Sequence, residues 1–175
     1  MARELHDQDA TKAAVKTNAP NWETTAIDKI IRDHVTKNQT ILDFGAGGAK
    51  PAFRLKAEGY KITAYDFMYT PENKQTETDP RDYNALNKRY DVVYASNVLN
   101  VQSGQAMMQK TIQEIRGSMK SSSVFIANFP NSPRKWPEVQ KAEDMKKFLS
   151  NYFTDIRLVG GTNSAPIWSM KIWSE

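Results

Sequence analysis

The stretch "TILDFGAGGAK", residues 40–50, decides the fold. It begins as a short apolar run typical of a buried strand, ends that run near Asp43, and then has three glycines within four positions. Glycine accepts left-handed and crowded backbone shapes and has no β-carbon, so a ligand can approach the chain closely at such a turn. Pro51 then suits the first turn of a helix. The stretch therefore predicts a strand, a tight turn and a helix.

Strand-like and helix-like segments alternate along the rest of the chain. Such alternation is typical of a mostly parallel sheet with helices on both faces. The last two predicted strands are separated by only about six residues, too few for a parallel crossover, so they should form an antiparallel hairpin. We therefore predict a three-layer, doubly wound α/β fold with a C-terminal antiparallel hairpin strand. The predicted helices are 21–37, 51–59, 103–119 and 137–153, and the predicted strands are 40–44, 60–67, 90–98, 122–129, 155–161 and 165–173.

Length and composition favour one compact domain. The 175 residues are 39% hydrophobic, which is enough for one ordinary core and leaves little room for a second. We predict a mobile arm or lid over the polar residues 1–21 and a single domain over 22–175. No apolar stretch approaches the roughly 20 residues of a membrane-spanning helix, and the amino terminus lacks the apolar middle of a signal peptide. A cytoplasmic protein with no membrane contact is the expectation.

Residue types that are missing exclude several chemistries. The chain has no cysteine, which excludes disulfides, thiolate metal sites and a cysteine nucleophile. It has two histidines, His6 and His34, too few for a histidine metal cluster, and we predict no metal. The net charge is +4, and residues 110–147 carry eight basic against four acidic side chains. The simplest interpretation of this segment is a solvated surface.

The glycine turn does not fit every nucleotide-binding pattern. A dinucleotide loop has the pattern GxGxxG, but counting from Gly45 the third glycine position is Lys50. A second pattern places an acid two residues before the first glycine, and Asp43, Gly45 and Gly47 match it. Here the sequence resembles the class I S-adenosylmethionine-dependent methyltransferases, whose signature is DxGxGxG. The final glycine of that signature is Ala49 in this chain.

The resemblance extends to the second predicted strand. Asp66 follows that strand, 23 residues after Asp43, where the family's acid accepts hydrogen bonds from both ribose hydroxyls. The resemblance also implies a later acid that meets the adenine amino group; either Asp79 or Asp82 could serve, and Asp79 is favoured. Phe67, Met68 and Tyr69 are expected to flank the adenine. The alternative from the residues alone is that the glycines form a tight turn and Asp66 caps a helix. S-adenosylmethionine is thus the expected cofactor.

The acceptor of the methyl group is expected near residues 96–104, after the third strand. The resemblance places Ser96 in the cofactor site. Asn97 and Asn100 are candidates for orienting the acceptor, although each could equally cap the turn before the next helix. The proline pair that amino-methylating DNA enzymes carry here is missing, which argues against adenine or cytosine of DNA as the acceptor. Arg134 and Lys135 could bind a carboxylate or phosphate, or could belong to a rigid turn.

Three functions remain open from the sequence. The leading hypothesis is a methyltransferase that acts on a small-molecule or other modest acceptor by direct in-line transfer. The second is a non-catalytic cofactor-binding module that acts through a protein partner. The third is a nucleic-acid methyltransferase that uses the basic segment for backbone contacts. The sequence indicates no oligomeric state.

Overall fold

A computed structural model describes residues 26–173. The predicted arm 1–21 lies outside the described residues. The helices are α1 (Ala26–His34), α2 (Lys50–Ala57), α3 (Gln105–Gly117) and α4 (Ala142–Leu149), with short 3-10 helices at Pro71–Asn73, Ala85–Asn87 and Leu99–Val101. The strands are β1 (Thr40–Phe44), β2 (Lys61–Tyr65), β3 (Tyr90–Ala95), β4 (Met119–Asn128), β5 (Phe153–Thr162) and β6 (Ala165–Ile172).

The strands form one six-stranded sheet in the order β2-β1-β3-β4-β6-β5. β1 pairs in parallel with β2 and β3, and β3 pairs in parallel with β4. β6 runs antiparallel to both of its neighbours, β4 and β5. The short connection between β5 and β6 makes a hairpin, as the sequence predicts. The doubly wound α/β fold with a reversed final strand is therefore confirmed.

Each face of the sheet carries its own apolar core. Successive residues of a strand point to opposite faces, so Ile41 packs with α1 and α2 whereas Leu42 packs with α3 and α4. The apolar stripe of α1 includes Ile27 and Ile31, which are almost completely buried. Burial on both faces explains why β1 and β3 read as nearly continuous apolar runs. No helix within residues 26–173 is long and apolar enough to cross a membrane.

The structure departs from the predicted elements in two places. α4 begins at Ala142 rather than at residue 137, because the preceding loop folds inward and buries Trp136 and Val139 in the core. Residues 74–78 weakly favour an extended stretch in sequence, but the structure forms a turn there. Arg81 then forms a single parallel bridge with Ala64 of β2. Beyond β2, the sheet is therefore extended by one residue pair and not by a full strand.

Candidate functional site

The carboxyl ends of β1, β2, β3 and β4 meet along one border of the sheet, which we call the carboxyl edge. Strands that run in the same direction end at the same border, so residues from distant parts of the sequence converge there. The glycine turn follows β1, and Asp66 follows β2 directly. Ser96 follows β3 and is half-buried. Ligands of doubly wound folds bind at this border, so it is the candidate site.

The first glycine of the turn makes room for a neighbouring loop. Gly45 has a φ of 75°, and its amide donates to the Tyr65 carbonyl at 2.8 Å. A β-carbon at Gly45 would lie 2.6 Å from Val98 Cγ2, closer than real side chains approach. Packing against Val98 therefore accounts for a glycine at position 45, and its contact with a cofactor stays a prediction. Gly45 is required by packing.

The later part of the turn is open. A β-carbon added at Gly48 would meet no atom within 4 Å. Ala49 has a φ of 59° and precedes the first residue of α2 without a side-chain cap. Its left-handed backbone costs about 1–2 kcal/mol for a residue with a β-carbon. The open surface of the turn is therefore at Gly48, next to the amino-terminal end of α2.

Asp66 joins the second strand to the glycine turn. Its Oδ2 accepts a hydrogen bond from the Gly47 amide at 2.8 Å, and its Oδ1 accepts one from the Met68 amide at 2.9 Å. The side chain is half-buried. A carboxylate offers about four lone-pair positions, so two bonds leave acceptor capacity toward the solvent side. The structure thus brings together two predicted site residues, Asp66 and Gly47, by direct contact.

Asp79 is engaged inside the protein. Its two oxygens accept from Arg81 Nε at 3.1 Å and Nη2 at 2.8 Å, and also from the amides of Gln75 at 2.9 Å and Arg81 at 3.0 Å. The Asp79 side chain is 0% exposed. These bonds outweigh the opposing effect of burial and lower the pKa of Asp79 to about 2. Its four acceptor positions are used, so Asp79 acts as an internal brace in this structure.

The neighbouring candidates remain accessible to different degrees. Asp82 accepts from the Asn84 amide at 2.8 Å and lies 3.6 Å from Lys88 Nζ, with its side chain 36% exposed. Phe67 is half-buried and packs against the core. Tyr69, by contrast, is buried under the Arg81 guanidinium, which lies 4.8 Å from its ring centre. Asp82 is therefore the more accessible of the two acids proposed for the adenine.

Asp43 lies beneath the turn in a buried polar cluster. It is 4% exposed and pairs in register with Tyr94, and burial raises the pKa of Asp43 to about 7. The Tyr94 hydroxyl has no partner with ordinary hydrogen-bond geometry, yet its closeness to the Asp43 carboxyl offsets part of that increase in pKa. On the same face, Arg54 Nη2 of α2 lies 3.0 Å from Asp28 Oδ2 of α1. Sequence reasoning missed this cluster, although Asp28 interrupts the apolar stripe of α1 and is itself 0% exposed.

Two asparagines bind each other across the ends of β3 and β4. The backbone amide of Asn97 donates to Asn128 Oδ1 at 2.7 Å, and the side-chain Nδ2 of Asn128 donates to Asn97 Oδ1 at 3.0 Å. Asn97 has a φ of 59°, a conformation that asparagine tolerates better than most residues. Because the side-chain oxygen Oδ1 of Asn97 accepts from Asn128, the side-chain NH₂ of Asn97 points away from that contact. Asn128, which the sequence did not single out, fixes this orientation.

Asn100 anchors the loop that follows β4. Asn100 is 2% exposed, and its side-chain Nδ2 donates to the Pro133 carbonyl at 2.8 Å. The backbone carbonyl of Asn100 accepts from the Lys135 amide at 3.0 Å. Arg134 donates to the carbonyls of Phe129 and Gln140, among others, and its charge lies over the Phe129 ring. Burial lowers the pKa of Arg134. These contacts favour the rigid-turn alternative for Arg134.

The described part of the chain contains no group of three or more His, Asp or Glu side chains arranged to hold a metal ion. His34 is exposed on the last turn of α1, away from the carboxyl edge.

Comparison with known proteins identifies the fold. No protein-family model matches the chain, and no curated protein matches it in sequence. Among solved structures, 1,6-didemethyltoxoflavin-N1-methyltransferase from Burkholderia thailandensis, with bound 1,6-didemethyltoxoflavin and S-adenosylhomocysteine, aligns with a TM-score of 0.65 and 15% identity over 95% of this chain and 87% of that chain. A TehB-like methyltransferase from Corynebacterium glutamicum aligns with a TM-score of 0.64 and 10% identity over 95% and 97%.

A third solved structure gives the same result. A methyltransferase from Bacteroides fragilis in complex with S-adenosylhomocysteine aligns with a TM-score of 0.61 and 13% identity, over 86% of this chain and 78% of that chain. The mostly parallel sheet and its antiparallel C-terminal hairpin fit this group. The chain has the class I, Rossmann-like fold of the S-adenosylmethionine-dependent methyltransferases.

Proposed function

We propose that the chain binds S-adenosylmethionine at the carboxyl edge and transfers its methyl group to a small-molecule or other modest acceptor. The observation that carries this proposal is the Asp66–Gly47 contact, which holds a half-exposed carboxylate beside the open turn at Gly48. A carboxylate with spare acceptor positions suits a pair of vicinal ribose hydroxyls. The residues present therefore fit a nucleoside cofactor.

Other residues of the site complete the proposed assignment. The backbone near Gly48 and the start of α2 would lie beside the cofactor, Asp66 would accept from the ribose, and Asp82 would meet the adenine amino group. The accessible Asp82 is a better candidate than Asp79, whose oxygens are already engaged. Ser96, Phe67 and the buried Asp43 would form the surrounding wall.

The chemistry requires positioning more than reactive side chains. When bound, S-adenosylmethionine supplies a methyl group on a sulfonium, a good leaving group. The chain needs only to align the two reactants and exclude water, which can contribute about 7–11 kcal/mol in favourable cases. The side-chain NH₂ of Asn97, oriented by Asn128, is the residue group proposed to hold the acceptor. Asn100 would support the acceptor loop through Pro133.

The acceptor class is proposed from the neighbours and the local charges. One neighbour carries a bound small molecule, 1,6-didemethyltoxoflavin, and another is a glycopeptide N-methyltransferase. Arg134, the guanidinium of the loop after β4, is engaged with backbone carbonyls. These features support an acceptor without a phosphate backbone.

Calorimetry with S-adenosylmethionine and S-adenosylhomocysteine tests the proposal. Asp66→Ala should weaken binding at least about tenfold, because a charged hydrogen-bond acceptor is lost. Asp91→Ala is the matched control, since this carboxylate lies at the opposite border of the sheet and should leave affinity unchanged. No binding by the unmodified chain, or equal affinity of Asp66→Ala, would contradict the site.

A second comparison separates the ribose contact from an effect on the loop. Adenosine and 2′-deoxyadenosine should compete with unequal strength if Asp66 binds the ribose directly. Equal competition would mean that Asp66 only holds Gly47. Cofactor binding without formation of S-adenosylhomocysteine from any acceptor mixture would favour the non-catalytic module.

A further inference from the structure

A second groove lies at the opposite border of the sheet, where β1, β2 and β3 begin. We call it the amino-edge groove and define it by Thr40, Lys56, Lys61, Thr63, Lys88 and Arg89. Lys56 and Lys61 come from α2 and β2 on one side, and Lys88 and Arg89 from the turn before β3 on the other. The groove is therefore bounded by positive charge on two sides.

Within residues 26–173, no acidic side chain lines the amino-edge groove. Two acids that neighbour the groove residues in sequence already have partners: Arg32 Nη2 lies 2.8 Å from Glu58, and Lys120 Nζ lies 2.8 Å from Asp91. Asp91 also accepts from the Thr40 amide at 2.8 Å.

The groove cations are mostly unpaired. Lys56, Lys61 and Arg89 make no ion pair with any residue that the structure describes, and Lys88 has only a long contact of 3.6 Å to Asp82. All four side chains belong to exposed residues. Lys37 adds a further positive charge at the rim, 5.5 Å from the ring centre of Tyr60, which also lines the groove. The groove thus holds more positive charge than the single long contact from Asp82 neutralises.

The chemistry of the groove favours a polyanion. We propose that the amino-edge groove binds the phosphate backbone of a nucleic-acid strand, with Lys56 and Lys61 on one side of it and Lys88 and Arg89 on the other. A linear polyanion can contact both walls at once. The large apolar side chains that the described residues expose are Met68, Tyr83, Leu158 and Trp173, and none of them lines the groove, so it lacks an apolar anchor for a lipid surface.

The amino-edge groove is separate from the basic segment 110–147. The basic residues of 110–147 include Lys146 and Lys147, which line a separate groove together with Glu143 and Asp155. Mixed charges there leave little surplus. Binding at the amino-edge groove does not rest on the proposed methyl transfer, because the groove lies at the opposite border of the sheet from the carboxyl edge.

Fluorescence anisotropy with a labelled 20-nucleotide single strand tests the proposal. Four cation–phosphate contacts predict a slope of log affinity against log salt of about −2.8. The double variant K61E/R89E should bind at least about tenfold more weakly, and loss of two contacts should reduce the slope by about 1.4. The matched control K146E/K147E removes the same charge, so it should keep most of the affinity. Thermal melting of both variants verifies that they fold.

Two results with these variants would overturn nucleic-acid binding at the groove. Equal weakening by the two double variants would overturn the proposal, because net charge alone would then explain binding. No binding of the strand by the unmodified chain at low salt would also overturn it. Vesicles rich in phosphatidylserine serve as a second probe. If they bind at the groove and the strand does not, the partner is a membrane and the proposal is wrong. S-adenosylmethionine affinity should be unchanged in K61E/R89E, which separates this test from that of the proposed function.

Discussion

The two borders of the sheet use charge in opposite ways. At the carboxyl edge, Asp79, Arg81 and Arg134 are turned inward and bind each other or the backbone. At the amino-edge groove, Lys61 and Arg89 are exposed and make no ion pair with any described residue. Buried charges require partners because desolvation is costly, whereas exposed charges do not. The difference teaches that the number of charged residues near a site says little about which of them can bind a ligand.

Removing one buried partner at the carboxyl edge should give the largest effect. Arg81→Ala leaves the Asp79 carboxylate buried without its counter-charge, and we expect a loss of about 3–5 kcal/mol in the free energy of unfolding. Arg89→Ala, in the amino-edge groove, should change it by less than about 0.5 kcal/mol. Urea denaturation measures both. Similar values for the two variants would remove the contrast between the borders.

Filling the packed part of the glycine turn should have the next largest effect. Gly45→Ala places a β-carbon against Val98 Cγ2 at a φ of 75°, and we expect a loss of about 2–4 kcal/mol from strain and overpacking together. Gly48→Ala meets open space and should leave stability nearly unchanged while weakening cofactor binding. The double variant Gly45→Ala/Val98→Ala should recover part of the loss. If Gly48→Ala were the more destabilising change in thermal melts, the packing explanation would fail.

The last contrast is the pH dependence of stability, which has opposite signs for Asp43 and Asp91. Burial raises the pKa of Asp43 from 3.8 to about 7, so folding binds a proton between these values. Its contribution to stability is present below about pH 4 and is lost as pH rises toward about 7, with a slope of at most about 1.4 kcal/mol per pH unit. Lys120 lowers the pKa of Asp91, so the contribution of Asp91 is present above its unfolded pKa of 3.8 and is lost as pH falls below it.

Denaturation as a function of pH separates these two carboxyl groups. The stability difference between the unmodified chain and Asp43→Asn should change between about pH 4 and 7, whereas that for Asp91→Asn should change only at more acidic pH. A difference for Asp43→Asn that does not vary with pH would show that Asp43 is not desolvated.

Local patterns predicted the elements of the fold well. The strand, turn and helix of residues 40–57 follow from apolar runs, glycines and Pro51, which act over a few residues. The antiparallel pairing of β5 and β6 follows from the shortness of their connection. The start of α4 was misplaced because burial of Trp136 in the core overrides the helical spacing of residues 137–141.

Partners that are distant in sequence could not be predicted. Asp66 and Asp79 look alike in sequence, since each is an acid near a predicted strand, yet Arg81 closes on Asp79 and leaves Asp66 to the glycine turn. The bond between Asn97 and Asn128 joins residues 31 positions apart.

The sequence by itself determined that the chain alternates strands and helices, turns sharply after β1 and reverses its last strand, because those features depend on neighbouring residues. Only the tertiary structure decided which carboxylates remain open to a ligand, which glycine is open and where unpaired positive charge collects. Those properties depend on the register of parallel strands, which brings the pair Lys56 and Lys61 to the same border as Lys88 and Arg89 although the two pairs lie far apart along the chain.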